Sequence, residues 1–229
     1  MTTLFVTATG TGVGKTFVTA RLVAELRAAR RSVRALKPVA SGFDAADIAG
    51  SDSGVLLDAL GLPVTAAHLD DVSPWRFAAP HSPDMAAARE RRAIPFDELL
   101  EFCRAPRSAD VTLVEGIGGV MVPLDHEHTV LDWIVELSAP ALLVAGSYLG
   151  ALSHTLTAVA ALRARGIEPV AVIVSESEQQ PVPLAETAAA IRRFVTPVAV
   201  VALPRTSKAP AAPAASAPTL LPLLADLLS

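Results

Sequence analysis

The sequence predicts an α/β fold, a doubly wound and mostly parallel β-sheet flanked by helices, and three observations carry that prediction. Six short apolar runs alternate with segments of helical spacing from the start of the chain to about residue 203, the order that βαβ units impose. Two of those runs, Val111-Thr112-Leu113-Val114 and Ala141-Leu142-Leu143-Val144, lack regular polar–apolar alternation, as strands covered on both faces should. The first run, Leu4-Phe5-Val6, leads through a glycine-rich turn into an amphipathic segment, which is how a parallel sheet with right-handed crossovers begins.

Strands are expected at about 2–8, 33–39, 110–115, 140–146, 169–175 and 197–203, and helices at about 15–30, 51–61, 84–91, 95–105, 129–138, 152–165 and 183–194. The segment from Asp44 to Ser53 is polar and contains glycine, hence a loop, and Ser51-Asp52-Ser53 at its end can cap the helix that follows. The stretch from Pro74 to Pro83 is punctuated by proline and cannot hold regular structure for long. Lys208 to Pro218 reads as an extended Ala/Pro connector to a short amphipathic C-terminal helix. No internal repeat is present.

A chain of 229 residues with 52% hydrophobic and 18% charged residues is expected to form one domain, residues 1–229, with a sizeable core. A net charge of −4 gives no electrostatic footprint for nucleic acid. The most apolar stretch, Ala209 to Leu228, is interrupted by four prolines and carries Asp226, so no membrane span is expected. With a first strand expected at about Thr2, no signal segment is expected. The single cysteine, Cys103, permits no internal disulfide. A cytoplasmic protein is expected, with Cys103 a half-buried helix residue.

Between the first strand and first helix lies Thr7-Ala8-Thr9-Gly10-Thr11-Gly12-Val13-Gly14-Lys15-Thr16. Its glycines let backbone N–H groups turn inward on an anion, Lys15 can reach the outer phosphates of a nucleotide, and the Thr16 hydroxyl can ligand Mg2+. The helix N-terminus adds favourable partial charge behind this nest. The usual first glycine of such a phosphate loop would fall at position 9, where Thr9 stands, so the loop is a variant.

Only three of the 19 basic residues are lysines: Lys15, Lys37 and Lys208. Lys37 ends the strand-like run Val33-Arg34-Ala35-Leu36 and precedes Pro38-Val39-Ala40-Ser41-Gly42. Carboxyl ends of neighbouring strands line one crevice in such sheets, which would bring Lys37 beside the phosphates. A compact ammonium is a point-charge anion binder that an arginine fork does not replace. After the buried run at 111–114 comes Glu115-Gly116-Ile117-Gly118-Gly119, an acid where NTPases place a magnesium-organising carboxylate. Thr16, Asp52 and Glu115 together would supply the hard oxygen ligands that Mg2+ wants. Asp52 could equally serve as a helix cap.

These motifs, together with Pro80-His81-Ser82-Pro83 and Leu149-Gly150-Ala151-Leu152-Ser153-His154, resemble the dethiobiotin synthetase family in order and spacing from residue 4 to about 204. The resemblance implies a P-loop NTPase-like fold, MgATP as co-substrate, and closure of 7,8-diaminopelargonic acid with CO2 into a cyclic urea through a carbamate and a carbamic–phosphoric anhydride. By that resemblance Gly12, Val13, Gly14, Lys15, Thr16, Phe17, Asp52, Glu115, Gly116, Ile117 and Gly118 bind the nucleotide. Thr16, Asp52 and Glu115 complete the metal site, and Lys37 acts with Lys15 on the carbamate and the transferring phosphoryl group. Thr11, Ser41 and Gly118 contact the diamine or its carbamate, while Leu149, Gly150 and Ser153 reach the substrate carboxylate across a homodimer interface. Ser175, Pro204 and Arg205 fall on the base side.

The chain departs from the family pattern at Ala8, at Ser153 where asparagine is usual, and at Ser175-Glu176 where an Asn-Asp pair often recognises the base. The first bears on the tightness of the loop's first turn, the second on the substrate carboxylate contact and the third on nucleotide preference. His154, at a helix start, is expected to serve structure rather than proton transfer. The alternative is a nucleotide-dependent switch ATPase of the partitioning or positioning type. Such switches carry a signature lysine early in the loop, where Gly10 stands here.

Overall fold

The computed structural model describes residues 2–106, 108–206 and 218–228. Of the Ala/Pro connector expected at 208–218, all but Pro218 lies outside the described residues. In chain order the elements are β1 (Thr2–Ala8), α1 (Lys15–Ala28), β2 (Val33–Leu36), β3 (Val39–Ser41), α2 (Asp52–Leu60), α3 (Ala66–Val72), β4 (Trp75–Phe77), α4 (Pro83–Arg89), α5 (Phe96–Arg104) and β5 (Val111–Glu115). Then follow α6 (Val130–Leu137), β6 (Ala141–Ala145), α7 (Ala151–Ala164), β7 (Ala171–Ser175), α8 (Leu184–Val195), β8 (Ala199–Leu203), a 3-10 turn (Leu221–Leu224) and α9 (Ala225–Leu228).

Six strands form one parallel sheet in the order β2-β5-β1-β6-β7-β8. Every residue of β5, β6 and β7 is buried, which is why their sequences do not alternate. Along β1 the pleat sends Phe5 to one face and Leu4 and Val6 to the other. Phe5 meets Trp133 of α6 edge to face with ring centroids 4.9 Å apart. Leu22 and Leu26 of α1 cover the opposite face.

The register decides where the functional residues emerge. Leu36 pairs with Val114, so Lys37 and Glu115, one residue on, leave adjacent strands side by side. Val6 pairs with Glu115, which sets that carboxylate level with the entry to the phosphate loop.

Three expectations need correction. The run expected as one strand over 33–39 is split, because Pro38 has no N–H to donate and constrains Lys37 before it. Val39–Ser41 instead pairs in parallel with Trp75–Phe77 as a separate two-stranded sheet. Second, α3 lies in a segment where no helix was expected; Thr65 caps it by accepting from the His68 N–H at 3.1 Å. Third, the C-terminal helix begins as a 3-10 turn, and Glu25 of α1 binds its start. Glu25 Oε2 accepts from the Leu220 N–H at 2.8 Å, the Leu221 N–H at 3.1 Å and the Thr219 hydroxyl at 2.8 Å. These donors have no earlier turn to bond to, and the paired Arg21 balances the buried charge at 2.6 Å.

Candidate nucleotide and substrate site

The phosphate loop works because two of its glycines take positive φ, Gly12 at 71° and Gly14 at 95°, a region that side chains disfavour. A Cβ at Gly14 would also lie 2.7 Å from Ser175 Oγ. Gly14 caps α1 without a side-chain hydrogen bond, so the first-turn N–H groups remain free for an anion. Lys15 folds back over the loop, donating to the Gly10 carbonyl at 3.1 Å and the Gly118 carbonyl at 2.7 Å. Burial, then the nearby Lys37 charge, pushes the Lys15 ammonium down to about 8.

Lys37 is buried, with 2% exposure, and its ammonium donates to Glu115 Oε1 at 2.8 Å and to the Gly116 carbonyl at 2.7 Å. Asp52 Oδ2 lies 3.2 Å away. Burial alone would lower its pKa; the charges of Glu115 and Asp52 outweigh that and raise it. For Asp52 burial acts upward, but the Lys37 charge and the Thr16 hydrogen bond hold its carboxyl below the ordinary range. The cap of α2 is Ser51, which accepts from the Gly54 N–H at 3.1 Å. Asp52 is therefore free of capping duty and turns toward Thr16 and Lys37.

Thr16 Oγ1 lies 2.8 Å from both Asp52 Oδ1 and Glu115 Oε1, and its single proton serves only one at a time. Glu115 is fully buried, and its Oε2 has no partner. A buried orphan carboxylate oxygen beside a hydroxyl and a second carboxylate is a hard-oxygen donor set, and it fits Mg2+. Among the described residues no group of three or more His, Cys, Asp or Glu could hold a metal unaided. Phosphate oxygens and water would have to complete the shell, as is usual for this ion.

One cavity of about 670 Å3 gathers Thr11, Gly12, Gly14, Lys15, Thr16, Lys37, Ser41, Asp52, Ile117 and Gly118. Pro80, His81, Ser82 and Pro83 line it as well, although sequence reasoning assigned that loop no role in the site beyond the resemblance. Its signal was Gly42, at φ 69°, where a Cβ would lie 3.2 Å from Pro80. A second cavity of about 230 Å3 shares Gly12 and Gly14 and adds Val13, Phe17, Ser175, Glu176 and Arg205. Pro204 is exposed and adjoins it in sequence only.

A third, more apolar cavity of about 400 Å3 lies on the other side of the phosphate loop, lined by Thr9, Thr11, Met121, Val122 and His154 among others. His154 opens here and not on the cavity of the two lysines, and its Nδ1 lies 2.8 Å from the Tyr148 hydroxyl. Leu149, Gly150 and Ser153 line none of these cavities; Leu149 is 84% exposed. Cys103 is buried, more fully than expected, and burial pushes its thiol up to about 12, which disfavours the thiolate.

A family model described as an AAA domain matches residues 2–211. An ATP-dependent dethiobiotin synthetase of Acidiphilium cryptum is 52% identical over 85% of this chain and 89% of its own. Those of Methylobacterium nodulans and Cellvibrio japonicus are 48% and 35% identical, over 84% and 96% of this chain and 89% and 96% of theirs. Among solved structures, the MinC:MinD cell division complex of Aquifex aeolicus superposes with a TM-score of 0.55 at 14% identity, covering 91% of this chain and 83% of that one. The signal recognition particle receptor FtsY of Elizabethkingia anophelis gives 0.51 at 17% identity, covering 90% of this chain and 59% of that one. Those two share the fold alone, and the switch-ATPase alternative gains no support beyond it. The motifs, the parallel sheet and the length of the shared sequence place the chain in the dethiobiotin synthetase family.

Proposed function

We propose that this chain closes 7,8-diaminopelargonic acid with CO2 and ATP into dethiobiotin, releasing ADP and phosphate. The observation that carries the reading is the convergence of Lys15, at the start of α1, and Lys37, just past the end of β2, on one cavity that also holds Thr16 and Asp52.

One amine of the diamine attacks the carbon of CO2 and loses a proton, leaving a carbamate. A carbamate oxygen then attacks the γ-phosphorus of ATP, the bridging P–O bond breaks, and ADP departs. The second amine attacks the carbamoyl carbon of the resulting anhydride and releases phosphate, and its proton is lost to solvent. The hard step is bringing two anions together. Unit charges about 4 Å apart repel by roughly 4 kcal/mol at an effective dielectric near 20, more than two powers of ten in rate. Lys37, held at the end of β2, is positioned to offset that charge, and Lys15 holds the nucleotide's outer phosphates. Fixed positive charge of this kind does most of the work in phosphoryl transfer. Ring closure then depends on proximity. Mg2+, held by Thr16 Oγ1, Asp52 and Glu115, would neutralise phosphate charge when bound.

The base lies in the cavity of Phe17, Ser175 and Arg205, with Pro204 fixing the approach of that loop. The diamine lies against Thr11, Ser41 and Gly118. We assign Leu149, Gly150 and Ser153 to the neighbouring subunit's substrate carboxylate in a homodimer. Leu149, Leu152 at 44% exposure and Met121 at 59% support an apolar contact there. The chain works as one domain over residues 1–229, and in the cytoplasm. Among the described residues no helix is long and apolar enough to cross a membrane.

Incubation with diamine, bicarbonate and MgATP should yield cyclic urea by mass spectrometry and one equivalent of phosphate by colorimetry. ATP hydrolysis that ignores the diamine and gives no urea overturns the reading. Lys15 adds a pH test. Its protonated form binds phosphate and prevails below about 8, so nucleotide affinity falls as pH rises through that value. Titration with a non-hydrolysable ATP analogue should show about tenfold weaker binding at pH 9 than at pH 7. A flat profile removes Lys15 protonation from binding.

A further inference from the structure

The carboxyl ends of β6 and β7 are tied by a hydrogen-bond exchange that the reaction does not itself require. The Ser147 N–H donates to Ser177 Oγ at 2.9 Å, and the Ser177 N–H donates to Ser147 Oγ at 2.9 Å. Gly146 permits the approach, since a Cβ there would lie 2.9 Å from Ser177 Oγ. The Ser147 hydroxyl donates onward to Gln180 Oε1 at 3.0 Å, and Gln180 Nε2 donates to Glu176 Oε1 at 2.7 Å. Glu176 Oε2 accepts from the Arg205 N–H at 2.9 Å. Ser147 is 1% exposed, and hydrogen bonds sheltered from water hold their geometry more tightly.

The two ends of this chain of contacts face different ligands. Glu176, Ser177 and Arg205 line the cavity assigned to the nucleoside base. Ser147 immediately precedes the loop that carries Leu149 and Gly150 and leads into α7. We propose that Ser147, Ser177 and Gln180 are positioning residues that couple base binding at Phe17 and Arg205 to diamine binding at the 149–153 loop. The inference rests on the assignment of that loop given above. A base that orders the Glu176–Arg205 wall leaves less freedom for the neighbouring loop to lose when it meets its own ligand. In a homodimer the nucleotide of one subunit thereby prepares the diamine site of the other.

The test uses two probes, a non-hydrolysable ATP analogue and inorganic tripolyphosphate, which fills the phosphate loop but has no base. Calorimetric titration of the unmodified protein should show the analogue tightening diamine binding by at least about fivefold, with the diamine tightening the analogue equally. Tripolyphosphate should give less than about half that effect. In Gln180→Leu, and in Ser147→Ala where it folds, the analogue's effect should fall to the tripolyphosphate level. Equal enhancement by both probes overturns the coupling, as does full enhancement in Gln180→Leu with both affinities merely weakened. A diamine that fails to bind the unmodified protein sinks the assigned function, and this inference with it.

Discussion

Lys37→Gln lowers turnover by at least about a hundredfold and leaves nucleotide affinity nearly intact. Lys15 keeps its own anchors, the carbonyls of Gly10 and Gly118, so the phosphate loop survives the change. What disappears is the enclosed ammonium between Glu115 and Asp52, and a neutral amide cannot offset the approach of carbamate to phosphate. Lys37→Arg should fail as well, because a planar fork does not fit a slot that encloses one compact ammonium to 2% exposure. Phosphate release in the presence of diamine measures turnover, and analogue titration measures affinity. Near-normal turnover in Lys37→Gln removes Lys37 from the chemistry.

Glu115→Gln strikes both stability and function. Glu115 Oε1 is the fully buried counter-charge to Lys37 and an acceptor for Thr16. Removing the buried partner of such a pair costs about 3–5 kcal/mol, because Lys37 then keeps only the half-exposed Asp52, 3.2 Å away, as counter-charge. For a domain of this size each kcal/mol moves the melting temperature by about 2–4 °C, so a fall of roughly 6–20 °C is expected. Turnover should drop by at least about a hundredfold, with a higher Mg2+ requirement. Asp52→Asn is the matched comparison. The Asp52 side chain is half exposed, so its replacement should raise the Mg2+ requirement with little effect on melting. Melting of Glu115→Gln within about 2 °C of the unmodified protein would show that Asp52 alone suffices as counter-charge to Lys37.

Much of the site was legible because its chemistry is local. Gly12, Gly14, Lys15 and Thr16 are consecutive or nearly so, and their spacing implies a strand, a turn of positive φ and a helix start before any coordinate is known. Glu115 was legible for a different reason: a carboxylate directly after an apolar strand requires a partner. Asp52 was harder. A cap and a metal ligand look alike in sequence, and only the backbone shows that Ser51 holds α2, leaving Asp52 for Thr16 and Lys37.

Helix α3 and the β3–β4 pair escaped notice because short elements offer too few residues for a period to show. The split at Pro38 is the clearest case. Val39 was expected to end β2, yet Val39 to Ser41 pair with Trp75 to Phe77, 36 positions away by register. Nothing near Val39 names that partner.

By itself the sequence determined the parallel α/β architecture, the phosphate loop and the family, since these follow from local spacing and buried, non-alternating strands. Tertiary structure alone decided that Lys37 and Glu115 leave adjacent strands in register, that Glu115 keeps one oxygen unpartnered, and that Ser147 and Ser177 lock two loops together. The physical reason is range. Hydrogen bonds and ion pairs act over a few ångströms, and only the folded sheet brings residues 78 or 30 positions apart within that reach.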